Sequence, residues 1–308
     1  MRTQKLTVGC IVVFFVAACL PIMSLAAQYQ ESPMLAERVA AGELPAVEDR
    51  LPENPYVQKV VEEIGQYGGD WRRAWKGVSD KWGPAKLGEE FFMRFLPDGS
   101  GLEPNLASSL DVQDNSQVFV FTLRKGVKWS DGEPFDVDDV MFFWEHIVQN
   151  EEIYGPLPWW LKGPKDGEPA TIEKVDQYSF KVSFSEPFTR FPEMFTYEVK
   201  EFYVPEHWFR TILPEFVGQE KTEQIASENG YANAKDYVNW RRKYYWIFPE
   251  VPMLRPWVPV NDPSEQRFIM ERNPYYWKVD AEGNQLPYID RIVHDFIEDP
   301  EVINLKAM

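Results

Sequence analysis

The chain has 308 residues, 44% of them hydrophobic and 26% charged, which is enough for one large domain or two ordinary ones. Its formal net charge of -17 repels phosphate backbones and anionic membrane surfaces, so a nucleic-acid partner is excluded. Aromatics stand out: 12 Trp, 14 Tyr and 21 Phe are more than a core of this size usually needs, and any rings left in a cleft would suit stacking on sugars, peptides or other flat apolar groups.

Residues 1–27 read as an export signal. Arg2 and Lys5 form a positive start, an apolar run follows at 11–20, and small residues come next at Ala17, Ala18, Ala26 and Ala27. Two processing routes are open: release near Ala27, or a lipobox-like Val16-Ala17-Ala18-Cys19 that would anchor the chain through a lipid on Cys19. Both cysteines, Cys10 and Cys19, fall in this segment, so a chain released at Ala27 has no thiol chemistry, disulfide or cysteine metal site.

Residues 28–66 form a polar, proline-punctuated arm. It carries a predicted helix over 34–41 stopped by Gly42, and a second over 57–64 stopped by Gly65. Tyr67-Gly68-Gly69-Asp70 is a turn opening the main body, followed by a strand over 71–75. Residues 117–124 are β-branched and aromatic, hence a strand. Tyr178, Phe180, Val182 and Phe184 alternate with polar residues, which marks a strand with one buried face. Between them lies a helix capped by Asp136, with Asp139 at capping-box spacing and Val140, Phe143, Trp144 and Ile147 on one face. Asp299-Pro300 opens a last helix with Val302, Leu305 and Met308 on a shared face, and its stop after two turns reads as a cut inside a longer protein. The class is α/β or α+β with mixed sheets.

Several segments, in order, resemble the family 5 extracellular solute-binding proteins, the peptide- and oligosaccharide-binding components of ABC importers. The most specific runs from Leu123 through Lys128-Trp129-Ser130-Asp131-Gly132 and Pro134-Phe135 to Glu145. The others are residues 103–110, 185–188 and 204–207, then Arg272-Asn273-Pro274-Tyr275-Tyr276-Trp277 and 283–290. The resemblance implies an α/β, mixed-sheet, two-lobed periplasmic-binding-protein-like fold (type II) that closes on ligand like a hinged jaw. On that basis residues 67–290 correspond to a first lobe with an inserted subdomain at about 84–245, and 291–308 to a hinge and the start of a second lobe.

The same resemblance implies a monomer that captures a peptide or oligosaccharide and then docks on ABC permease subunits, with no cofactor and no metal. Candidate ligand-facing residues are Trp71, Trp75 and Trp82 after the glycine turn, Trp257 near a crossing point, and Trp159 and Trp160 on a loop. A secreted glycoside hydrolase is the competing reading, since 49 acidic residues leave room for a catalytic pair. Against it, His146, His207 and His294 show no metal-ligand spacing, and no nucleophile elbow or phosphate-binding loop is present. An adhesion module is disfavoured by the lack of repeats.

Overall fold

The computed structural model describes residues 29–164, 167–196 and 202–307. The export segment and both cysteines lie outside the described residues, as does Met308. Twelve strands occur among the described residues. In chain order they are β1 (Tyr56–Val57), β2 (Asp70–Trp75), β3 (Met93–Phe95), β4 (Leu102–Pro104), β5 (Ala107–Gln113) and β6 (Val118–Leu123). The second half supplies β7 (Thr171–Lys174), β8 (Ser179–Ser183), β9 (Trp257–Pro259), β10 (Arg267–Arg272), β11 (Lys278–Val279) and β12 (Arg291–Phe296).

Two four-stranded sheets organise the molecule. One is mixed, with order β2-β12-β10-β9, and only the β2–β12 pair is parallel, with Asp70 opposite Arg291 and Trp75 opposite Phe296. The other, β5-β6-β8-β7, is antiparallel throughout. The strand expected at 117–124 and the alternation expected at 178–184 both appear, with Phe119, Phe121, Phe180 and Val182 fully buried. Phe121 stacks on Phe180 with ring centres 5.1 Å apart, and Phe191 and Phe195 close over the same face. Most of the surplus aromatics are thus core.

The capped helix forms as expected. Asp136 accepts from the Asp138 amide, and Asp139 reaches back to the Asp136 amide at 3.2 Å. The α-helix covers only Val137–Phe142, however, and continues as a π-helical turn over Phe143–Val148. Residues Val140, Phe143, Trp144 and Ile147 are all buried. The last helix spans Pro300–Ala307 with Asp299 accepting from the Glu301 amide at 2.8 Å, and its Val302 and Leu305 face solvent.

The arm differs from expectation in one place. Its first helix is Pro33–Ala40, capped by Ser32 and followed by Gly42 at positive φ. The helix expected at 57–64 is absent, because β1 pairs in parallel with β11 and the Gln58 amide donates to the Val279 carbonyl at 2.7 Å. Cross-chain pairing there outweighs the weak helical pattern. The buried Arg50 anchors the arm by pairing with Glu31 and donating to the Pro274 carbonyl and to Gln285 Oε1.

The segments that carried the family resemblance turn out to be clamps. Arg272 binds Asp290 at 2.8 Å and the Tyr288 carbonyl at 2.7 Å. Asn273 holds the Met253 and Arg255 carbonyls. Glu90 is buried among the Lys278 ammonium (2.8 Å), the Tyr276 hydroxyl (2.5 Å) and the Asn105 amide (2.8 Å). In the Lys128–Gly132 turn, Ser130 exchanges backbone and side-chain hydrogen bonds with Met253, and Gly132 sits at φ +96° against the Tyr275 ring.

Candidate ligand-binding site

Where the loop after β2 meets the end of the helix Ala234–Lys243, a cavity of about 440 Å³ opens. Its first wall begins at Gly77, which turns the chain at φ +69°, and ends in the short helix Trp82–Ala85. Packed against it is the 3-10 turn Tyr245–Ile247 with Tyr244 before it. Rings dominate the lining: Trp82, Trp129, Trp160, Trp246, Tyr154 and Tyr244 all contribute.

Hydrogen bonds between distant segments fix these rings. Trp246 Nε1 donates to the Lys81 carbonyl at 2.8 Å, which sets Trp246 5.6 Å from Trp82. The Trp82 ring also meets Tyr244 edge-on at 6.0 Å. Beneath them the buried Arg255 donates from Nε to the Tyr245 hydroxyl (2.7 Å) and from Nη1 to the Ala85 carbonyl (2.8 Å). Its guanidinium also lies 4.8 Å from the Trp246 ring centre. One side chain thereby braces both of these adjoining segments, as a rigid binding surface requires.

The charges are unevenly placed. Arg242 and Lys243 line the cavity, and no Asp or Glu does so among the described residues. The Arg242 guanidinium lies 4.6 Å from the Tyr154 ring centre and donates through Nη2 to Asn239 at 3.1 Å. Burial lowers its pKa. The Lys243 pKa is lowered too, by burial first and then by the neighbouring Arg242 charge. Behind Trp129, Asp139 accepts from the indole Nε1 (3.2 Å) and from the Glu206 amide (2.9 Å), and burial pushes its carboxyl up to about 7.

Of the six candidate tryptophans, the structure brings two to this cavity: Trp82, which is 40% exposed, and Trp160, which is buried and lines it with little free surface. Trp75 is 1% exposed and stacks on Phe268 at 5.0 Å, so it belongs to the core of the mixed sheet and offers no face to a ligand. Trp71 is exposed on β2 with the Arg73 guanidinium over its ring, and Trp159 is exposed beside Phe188. Trp257 lines a separate apolar hollow of about 400 Å³ with Pro256, Leu286 and Tyr288. Sequence reasoning missed Arg242 and the Tyr244-Tyr245-Trp246 run. Three consecutive aromatics directly after Arg241-Arg242-Lys243 were the available signal.

Comparison with known proteins follows the same lines. Residues 101–307 match the family described as bacterial extracellular solute-binding proteins, family 5 Middle. The periplasmic alpha-galactoside-binding protein of Rhizobium meliloti (strain 1021) is 34% identical over 287 residues, covering 86% of this chain and 39% of that protein. A solved structure described as oligopeptide-binding protein OppA superposes with TM-score 0.84 at 42% identity, over 91% of this chain and 43% of its own. The periplasmic binding protein MelB of Agrobacterium fabrum C58, solved with stachyose, gives TM-score 0.70 at 28% identity, over 88% of this chain and 41% of its own. The chain thus spans about two-fifths of the length of these proteins.

Proposed function

The chain belongs to the bacterial extracellular solute-binding proteins of family 5, and from that premise we propose that it captures an oligosaccharide outside the cytoplasm for an ABC importer. The observation that carries this reading is the ring-lined cavity, braced by Arg255 and free of carboxylates among its described lining residues. Flat aromatic faces pack against the apolar faces of sugar rings, while a peptide's amino terminus calls for an acidic partner that the described lining does not supply. The likeness to an alpha-galactoside-binding protein and to a binding protein solved with stachyose supports the same class.

In this reading residues 67–290 are the first lobe, with the antiparallel sheet inside a subdomain at about 84–245, and 291–308 lead through a hinge toward a second lobe. Solute bridging the lobes favours the closed state, which docks as a monomer on the permease while the solute stays intact. Export follows from residues 1–27, with release near Ala27.

The test is calorimetric titration of the purified full-length protein with raffinose, stachyose and a set of tri- and tetrapeptides, with the sugar samples checked afterwards for cleavage. Saturable binding of a sugar without product supports the proposal. Binding confined to peptides, or release of monosaccharide, overturns it.

A further inference from the structure

The cavity carries a charge pattern that a neutral sugar does not use. Arg242 and Lys243 are adjacent cations at its rim, in a protein whose net charge is -17. Among the described residues, Arg242 Nε is buried without a hydrogen-bond partner, and the guanidinium donates to Asn239, one helical turn back. Among the described residues, the charged or titratable groups that act on Arg242 are Tyr154 and Tyr244, and the one that acts on Lys243 is Arg242. With 49 acidic residues available, leaving the half-buried Arg242 without a counter-charge among the described residues is uncommon, because a desolvated charge is costly when unpaired.

Helix-end electrostatics account for part of this. Arg241, Arg242 and Lys243 all lie in the last turn of Ala234–Lys243, where cations complement the carbonyl end of the dipole. Arg241 turns away from the cavity, paired with Glu250 at 2.7 Å and packed 3.8 Å from the Phe248 ring centre. Arg242 and Lys243 face the rings instead. A guanidinium and an ammonium side by side among aromatic rings are arranged to bind a carboxylate carried on a ring with an apolar face.

We propose that the solute is an acidic oligosaccharide, a sugar chain bearing a uronic-acid carboxylate that pairs with Arg242 and Lys243 while its rings pack on Trp82 and Tyr244. The proposal rests on the reading of this cavity as the ligand site. A free peptide carboxylate shares the chemistry, so the experiment includes it as an arm.

The full-length protein is titrated with trigalacturonate, with the neutral trisaccharide raffinose and with trialanine, each at low and high salt. The expected result is trigalacturonate bound at least about tenfold more tightly than raffinose at low salt, with the ratio shrinking at 0.5 M salt as the charges are screened. In R242Q/K243Q, shown to be folded by its thermal melt, that ratio should fall to near one, and R242K should keep part of it. Equal affinity for the acidic and neutral sugars overturns this inference and leaves the sugar-binding reading standing. Binding of trialanine alone, or of none of the three, overturns both.

Discussion

Replacing Trp82 by alanine separates ligand contact from scaffolding. A tryptophan side chain presents roughly 200 Å² of surface. With 40% of Trp82 exposed at the cavity, a bound ring can cover about 80 Å² of it. At about 25 cal/mol per Å² that contact is worth about 2 kcal/mol, or roughly a 30-fold rise in Kd. The remaining ~120 Å², packed on Trp246 and Tyr244, sets an upper bound of about 3 kcal/mol on lost stability. Trp82→Phe should lose less on both counts, since a smaller ring still stacks. Affinity is read by calorimetry with whichever sugar the wild type binds, well below the melting temperature of the variant. A folded Trp82→Ala protein that binds within twofold of wild type would show that the ring is scaffolding and that the cavity is not the contact surface.

Lys278→Met strands the buried Glu90 carboxylate and should cost about 3–5 kcal/mol, seen as a thermal midpoint lower by about 10 °C. The double variant E90Q/K278M should recover much of that loss, and equal melting of the two variants would refute the pairing argument. His294 is buried between Trp75 and Phe268 with neither ring nitrogen bonded, and burial pulls its pKa down to about 4. The unfolded chain takes up that proton near pH 6.5, so stability is full above this value and falls as the pH drops toward 4, by about 3 kcal/mol in total. His294→Phe should flatten that slope in denaturant melts at pH 4.5–7, and an unchanged slope would sink the assignment. Gly132→Ala should cost about 1–2 kcal/mol through its left-handed backbone, with the added methyl 2.9 Å from the Tyr275 ring, and a chemical-denaturation midpoint equal to wild type would contradict it.

What could be read from the sequence was what neighbours along the chain determine. The Asp136–Asp139 cap needs only residues three apart, and the alternation around Phe180 needs only one strand, so both were legible. The arm at 57–64 was misread because its conformation is set by β11, more than two hundred residues onward. Trp75 and Trp82 sit seven positions apart and looked alike as candidates. One is covered by Phe268 and the other stands at an open cavity, a difference made wholly by distant partners. Trp246 escaped notice for the same reason, since it is aimed by a bond to Lys81, 165 residues earlier.

The parallel pairing of β2 with β12 also governs the order in which the molecule can be completed. The antiparallel sheet closes through neighbouring strands and is available once residue 183 has been made. Asp70 and Arg291, which meet across the parallel pair, lie 221 positions apart. At ordinary synthesis speeds of about 5–20 residues per second, β2 waits on the order of 10–40 s for its partner. During that interval Trp71, Arg72, Arg73 and Trp75 form an unpaired strand with a bare edge, a segment suited to a chaperone that holds extended chains. The mixed sheet therefore assembles after the antiparallel one.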